Sequence, residues 1–248
     1  MIIDLSYFNQ IQDWHKVKDN VDGVILRLGY TGYSSGKTVY DKRYHDYLAA
    51  CMQLNIPIGV YFFPQSIKAG EAEAEADFIK YSLPDKCPLG VWLDSEIADV
   101  KTKAGRADKL SKATRTELLL IIINSLKASG VNAGVYASTS WLNNQLDMSK
   151  LNVPVWVAQY NTKCTYKGKY CLWQYSSKGS IPGIKGNVDL NKVIEDIPAA
   201  DPVNDYALRE AIDIFADRVI KGKFGQGHDD RMRNIYSLIR SRVNDILK

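Results

Sequence analysis

LGVWLDSE, residues 89–96, runs five apolar or glycine positions straight into two acids, Asp94 and Glu96. Such continuous hydrophobicity suits a strand buried on both faces of a parallel sheet, whereas a strand with one wet face would alternate. The same texture recurs in IIDLS at 2–6, VDGVILRLG at 21–29, IPIGVYFF at 56–63, VNAGVYAS at 131–138, PVWVAQY at 154–160 and LWQYS at 172–176. Between several of these lie stretches with helical spacing, 41–55, 70–82 and 114–130, the last closing on Gly130, a residue suited to a helix C-terminus. Alternating strand and helix predicts an α/β fold with helices covering a parallel sheet. Seven or so strands within about 200 residues fit a closed, TIM-like β/α barrel better than an open doubly wound sheet.

In such barrels reacting groups sit at the carboxyl ends of strands, where loops begin and the packed interior opens to solvent. The acids fall there. Asp4 follows an apolar pair on the first strand, Asp94 and Glu96 end the fourth, and Asp189 in NVDLN lies near the close of the barrel sequence. Residues two apart in a strand share a face, so Asp94 and Glu96 project inward together while Ser95 points away. Two carboxylates roughly 6 to 7 Å apart repel, and partial burial adds to the effect, so one is pushed to keep its proton near neutral pH. A protonated acid beside a second negative group is what cleavage of a glycosidic bond needs. Against this, D-x-E tripeptides occur by chance as solvated loop acids, and a lone strand-end Asp often caps the following helix. The buried setting of the strand favours the chemical reading, because unneutralised acids there are costly. Tyr61, Tyr136, Trp156 and Trp173 lie on or near strand ends, where ring faces can stack on sugars; each also suits core packing.

The bulk composition excludes other classes. The 248 residues are 46% hydrophobic and 24% charged, as in a globular protein, and the longest apolar run, LLLIII at 118–123, is far too short to cross a bilayer. No membrane insertion is expected. MIIDLSYFNQ lacks a basic leading region, so it reads as a first strand and not a signal peptide; the expectation is synthesis in the cytoplasm with export by another route. A net charge of +4 does not argue for nucleic acid. Three scattered histidines lack metal-ligand spacing, so no metal and no cofactor are expected. Four cysteines make no disulfide framework. CTYKGKYC could place Cys164 across a hairpin from Cys171, although free thiols are the preferred reading for a chain made in a reducing cytosol.

Near residue 195 the texture changes, which divides the chain into a barrel at 1–195, a Pro-, Ala- and Asp-rich linker at 196–206, and a small all-helical module at 207–248. In the module Ile212, Phe215, Ala216, Val219 and Ile220 share one helix face, while Ile235, Leu238, Ile239, Val243, Ile246 and Leu247 fit another. So small a core is marginal alone, so the module is expected either to dock on the barrel or to be one tight hairpin-like bundle, and the plain reading is an appendage that only stabilises the barrel.

Taken in order, IIDLS, GVYFF, WLDSE, VWVAQY, LWQYSS and NVDLN resemble the family 25 glycoside hydrolases, the Chalaropsis-type lysozymes, over about residues 1–195. The resemblance implies an irregular β/α barrel that hydrolyses the β-1,4 bond between N-acetylmuramic acid and N-acetylglucosamine in peptidoglycan. It gives Glu96 as general acid, Asp94, Asp4 and Asp189 as the other active-site acids, and Tyr61 as the aromatic after the third strand; Phe62 departs from the pattern, standing where many members carry His. The spacing leaves stereochemistry open, and retention with the substrate's own 2-acetamido group as nucleophile is the expectation. Family 18 chitinases also place a D-x-E pair at a strand end, but their longer pattern needs an Asp where this chain has Trp92. The sequence around KGKFGQGHDDR, 221–231, is similar to a short cell-wall-binding repeat of some phage lysins, which implies Lys223, Phe224, Gln226 and Arg231 as wall contacts and peptidoglycan as the partner, reached after phage-type release. The competing reading is a weak or inactive peptidoglycan-binding protein on the same barrel.

Overall fold

The computed structural model describes residues 1–84, 86–98, 101–102 and 105–197. The expected helical module, 207–248, with Lys223, Phe224, Gln226 and Arg231, lies outside the described residues, as does most of the expected linker. In chain order the elements are β1 (Ile2–Leu5), β2 (Gln10–Ile11), α1 (Trp14–Asn20), β3 (Gly23–Thr31), β4 (Thr38–Tyr40), α2 (Tyr44–Gln53), β5 (Ile58–Phe63), α3 (Ala69–Ser82) and β6 (Val91–Asp94). There follow α4 (Lys112–Ala128), β7 (Ala133–Ser138), α5 (Thr139–Asn144), α6 (Met148–Leu151), β8 (Val155–Ala158), β9 (Leu172–Gly179), β10 (Ile184–Lys185) and β11 (Val188–Val193).

Eight strands close a barrel in the order β1, β3, β5, β6, β7, β8, β9, β11. The first seven run parallel to their neighbours. Strand β11 is antiparallel to both β9 and β1 and seals the seam, which makes the barrel irregular. The seven apolar runs of the sequence are the seven parallel strands. The eighth, VDLNKV, is too polar to read as a buried strand.

Both strand faces are buried, for different reasons. Outward side chains meet the helices, and α4 supplies Leu118, Leu119, Ile122, Ile123 and Leu126 to that layer. Ser111 caps its start, its side chain accepting the Thr114 N–H, and the Gly130 N–H closes on the Lys127 carbonyl. Inward side chains form a second apolar cluster that includes Ile2, Ile25, Trp92, Tyr136, Trp156 and Leu172. The Trp92 ring fits only because residue 134 is glycine: a Cβ there would approach the ring within 2.5 Å. The barrel is therefore plugged by aromatics below its carboxyl-end mouth.

The Cys164–Cys171 hairpin does not form. Residues 161–171 contain no strand, and all four cysteines are free thiols. Cys171 instead joins the barrel lining, its thiol 3.5 Å from the Val155 carbonyl oxygen.

Candidate active site

Closure of the barrel brings together acids that are remote in sequence. The β1–β11 register sets Asp4 directly opposite Asp189. On the far side of the mouth β6 ends at Asp94, whose Cα partner is Tyr136 of β7. Glu96 lies two residues past that strand end, so its direction is set by the loop and not by the strand pleat. Ser95 points away from the mouth, as expected, with its buried hydroxyl oxygen accepting the Trp141 indole N–H at 3.0 Å.

Each carboxyl is held above its ordinary range, and burial is the first cause in every case. The Asp4 carboxyl is pushed up to about 7 by burial and the Asp189 charge, against the lowering effect of two amide hydrogen bonds. Asp94 rises well above the usual range through burial and the charges of Glu96 and Asp4, with Arg27 pulling the other way. Glu96 is an exposed residue, yet protein packed around its carboxyl and the Asp189 charge push it up to about 7. These mutual effects tie all four acids into one electrostatic unit. Its floor is the aromatic plug, in which Trp156 meets Tyr61, Trp92 and Tyr136 at ring separations of 6.2, 5.8 and 4.6 Å.

Amides orient the unit from one side. Asp4 Oδ2 accepts from Gln174 Nε2 at 2.9 Å and Asn191 Nδ2 at 2.8 Å. Gln174 Oε1 in turn accepts the hydroxyls of Tyr136, at 2.8 Å, and Tyr160, at 2.9 Å. Asp94 has no such support; its Oδ1 is buried with no hydrogen-bond partner among the described residues. On the acid side, Arg115 of α4 is buried and donates to the carbonyls of Ala107, Asp108 and Leu110, which fastens the loop just before α4, and Asp108 Oδ1 accepts the Ala98 N–H, two residues from Glu96, at 2.8 Å. Its guanidinium also lies 4.7 Å from the Trp141 ring, so one cluster holds both Ser95 and the far end of the loop. Next to this loop is a shallow, open cleft lined by Gln65, Ser66, Glu96 and Arg115 among others; of the four acids only Glu96 borders it.

The aromatics divide. Tyr61 and Tyr136 belong to the plug but stand beside the acids, which raise both phenols further after burial, and the Tyr136 hydroxyl is taken by Gln174. Trp156 does not offer a ring to a ligand: it is 2% exposed inside the plug, its indole N–H bonded to Asn191 Oδ1 at 2.9 Å. Trp173 offers no ring at the mouth either. It is 7% exposed in the outer layer, its indole donating to the Gln159 carbonyl, because neighbouring strand residues alternate and Leu172 and Gln174 take the inward positions. Phe62 also faces outward, against Phe78 of α3, so the replaced histidine position is a packing position in this chain. Arg27, Gln174, Asn191 and Tyr160 join the site unforeseen. The signal was available for two of them: a lone polar side chain at an inward position of an apolar strand, Arg27 in VILRLG and Gln174 in LWQYS.

Among the described residues no group of His, Cys, Asp or Glu has the arrangement of a metal site, and no helix is long and apolar enough to cross a membrane. What the site can do is hold one carboxyl protonated near neutral pH beside others that carry negative charge, the requirement for acid-assisted cleavage of an acetal.

Comparison with known proteins agrees with this chemistry. The autolytic lysozyme of Clostridium acetobutylicum is 27% identical over 188 residues, covering 75% of this chain and 53% of that protein. A lysozyme of Lactococcus phage mv1 is 28% identical over 100 residues, 37% of this chain and 47% of the phage protein. The chain thus spans about half the length of these curated relatives. Among solved structures, the modular autolysin LytC of Streptococcus pneumoniae, in complex with a synthetic peptidoglycan ligand, superposes with a TM-score of 0.66 at 30% identity, over 77% of this chain and 45% of LytC. The bacterial lysozyme of Streptomyces coelicolor shares the fold, with a TM-score of 0.63 at 22% identity over 78% and 91% of the two chains. Residues 3–184 match the family described as Glycosyl hydrolases family 25, well over half of the sequence, and the chain belongs to that family.

Proposed function

We propose that this chain is a muramidase, which cleaves the β-1,4 bond between N-acetylmuramic acid and N-acetylglucosamine in bacterial peptidoglycan. The observation that carries the proposal is the electrostatic unit of Asp4, Asp94, Glu96 and Asp189 at one barrel mouth. In this reading Glu96 gives its proton to the leaving oxygen as the glycosidic bond breaks. The substrate's 2-acetamido oxygen attacks the anomeric carbon, Asp94 orients and stabilises that group, and water then opens the cyclic intermediate with Glu96 as base. The Asp189 charge raises the Glu96 proton affinity, and the negative charge left on the unprotonated acids favours positive charge on the sugar. Tyr61 and Tyr136 border the bound sugar. An inactive binder on the same scaffold would have no need for four costly, mutually repelling acids.

Glu96→Gln tests the assignment. Clearing of purified walls should fall by about a thousandfold while wall binding and melting temperature hold; unchanged lysis removes Glu96 as the acid. On soluble glycan the first product should carry the β configuration by NMR, and an α product rules out retention.

We also infer that 207–248 tethers the enzyme to the wall through Lys223, Phe224, Gln226 and Arg231, on the likeness of 221–231 to a wall-binding repeat. Removal of 201–248 should weaken sedimentation with walls more than cleavage of short glycans. Equal loss in both assays would mark the segment as structural only.

A further inference from the structure

Beside the acids stands an aromatic surface that the chemistry above leaves unused. Phe8 is 71% exposed and Tyr7 38% exposed, and their rings pair at 4.0 Å with a 32° tilt. Phenylalanine has no polar tip to wet, so exposing it on a firmly held loop has a cost that a ligand can relieve. This loop is firmly held. The Ser6 N–H donates to Asn9 Oδ1 at 2.9 Å, the Asn9 N–H to the Ser6 carbonyl at 3.0 Å, and the Tyr7 N–H to Asp41 Oδ2 at 3.1 Å. The Tyr47 hydroxyl closes the set on the Asn9 carbonyl at 2.5 Å.

The pair is continuous with the site. Arg27 lies 5.1 Å from the Tyr7 ring centre and 5.4 Å from that of Phe8, while an ion pair with Asp41 fixes its guanidinium. The same Arg27 is near enough to Asp94 to lower its carboxyl. Tyr160 follows β8, three strands from β1 around the barrel, 58% exposed and sensing the charges of Asp189, Asp4 and Glu96. The exposed pair and the acids therefore share Arg27 as a common neighbour.

We propose that Tyr7 and Phe8 form a further glycan subsite, removed from the scissile bond, in which an N-acetylhexosamine ring of the strand stacks on the exposed aromatic surface. Because the loop is already ordered, little entropy is lost on binding, and the stacking adds affinity for long chains over short ones. The subsite rests on the muramidase reading for its ligand.

The test is kcat/KM for the native chain, Phe8→Ala and Phe8→Trp on peptide-free β-1,4 glycans of increasing length. Phe8→Ala should lose about tenfold on long chains, mainly in KM, and less than about twofold on the shortest cleavable one, with Phe8→Trp restoring the native slope. No loss, or the same loss at every length, overturns the subsite. A native chain without turnover overturns the muramidase reading instead; calorimetric titration of the longest glycan into native and Phe8→Ala protein then decides the subsite, and equal affinities end it.

Discussion

At the scale of single residues, the central fact is that Glu96 owes part of its proton affinity to Asp189, a residue from the last strand. Activity should therefore decline as pH rises through about 7, where Glu96 loses its proton. In Asp189→Asn the negative neighbour is gone, so the Glu96 carboxyl falls and the alkaline limb of the pH–rate profile should move to lower pH. A limb that stays in place would mean that burial alone sets the acid. Asp4, Asp94 and Glu96 stood out in the sequence because charge at the end of an apolar run is conspicuous; Asp189, in the polar NVDLN, was weak on spacing and leaned on the family resemblance. The fates of Trp156 and Trp173 were not. Strands buried on both faces are apolar at every position, so the two-residue period that would tell inward from outward is absent, and both indoles looked equally placed.

At the scale of elements, Glu96 has to be presented beyond the end of β6, without a strand to guide it. Arg115 of α4 steadies residues 107–110 by collecting three of their carbonyls in one planar fork, and Asp108 there accepts the Ala98 N–H at 2.8 Å. Arg115→Ala should leave those carbonyls unpaired and lower stability by about 2–4 kcal/mol, read from chemical denaturation. Arg115→Lys should recover little of this, because a single ammonium cannot match the fork. Full recovery by lysine would mean that charge and not geometry holds the loop. The parallel strands and the helices at 41–55, 70–82 and 114–130 could be read from periodicity, and they appear as β1, β3, β5 to β9, α2, α3 and α4. Strand β11 could not be, since Asp189, Asn191 and Lys192 interrupt the apolar pattern, and it is paired because the seam between β9 and β1 needs a partner. Helix α1 was missed too; its seven residues bury only Val17.

At the scale of the whole molecule, fold and site are a single construction. Asp4 and Asp189 meet because the last strand returns antiparallel beside the first, and Asp94 and Glu96 face them because β6 lies across the closed barrel. The aromatic plug keeps the floor dry, so acids that would titrate normally in water hold protons near neutrality. The most direct test is mass analysis of purified peptidoglycan digested by the native chain. The account predicts new reducing ends on N-acetylmuramic acid and none on N-acetylglucosamine. New ends on N-acetylglucosamine, cut peptide stems alone, or undigested glycan would contradict it.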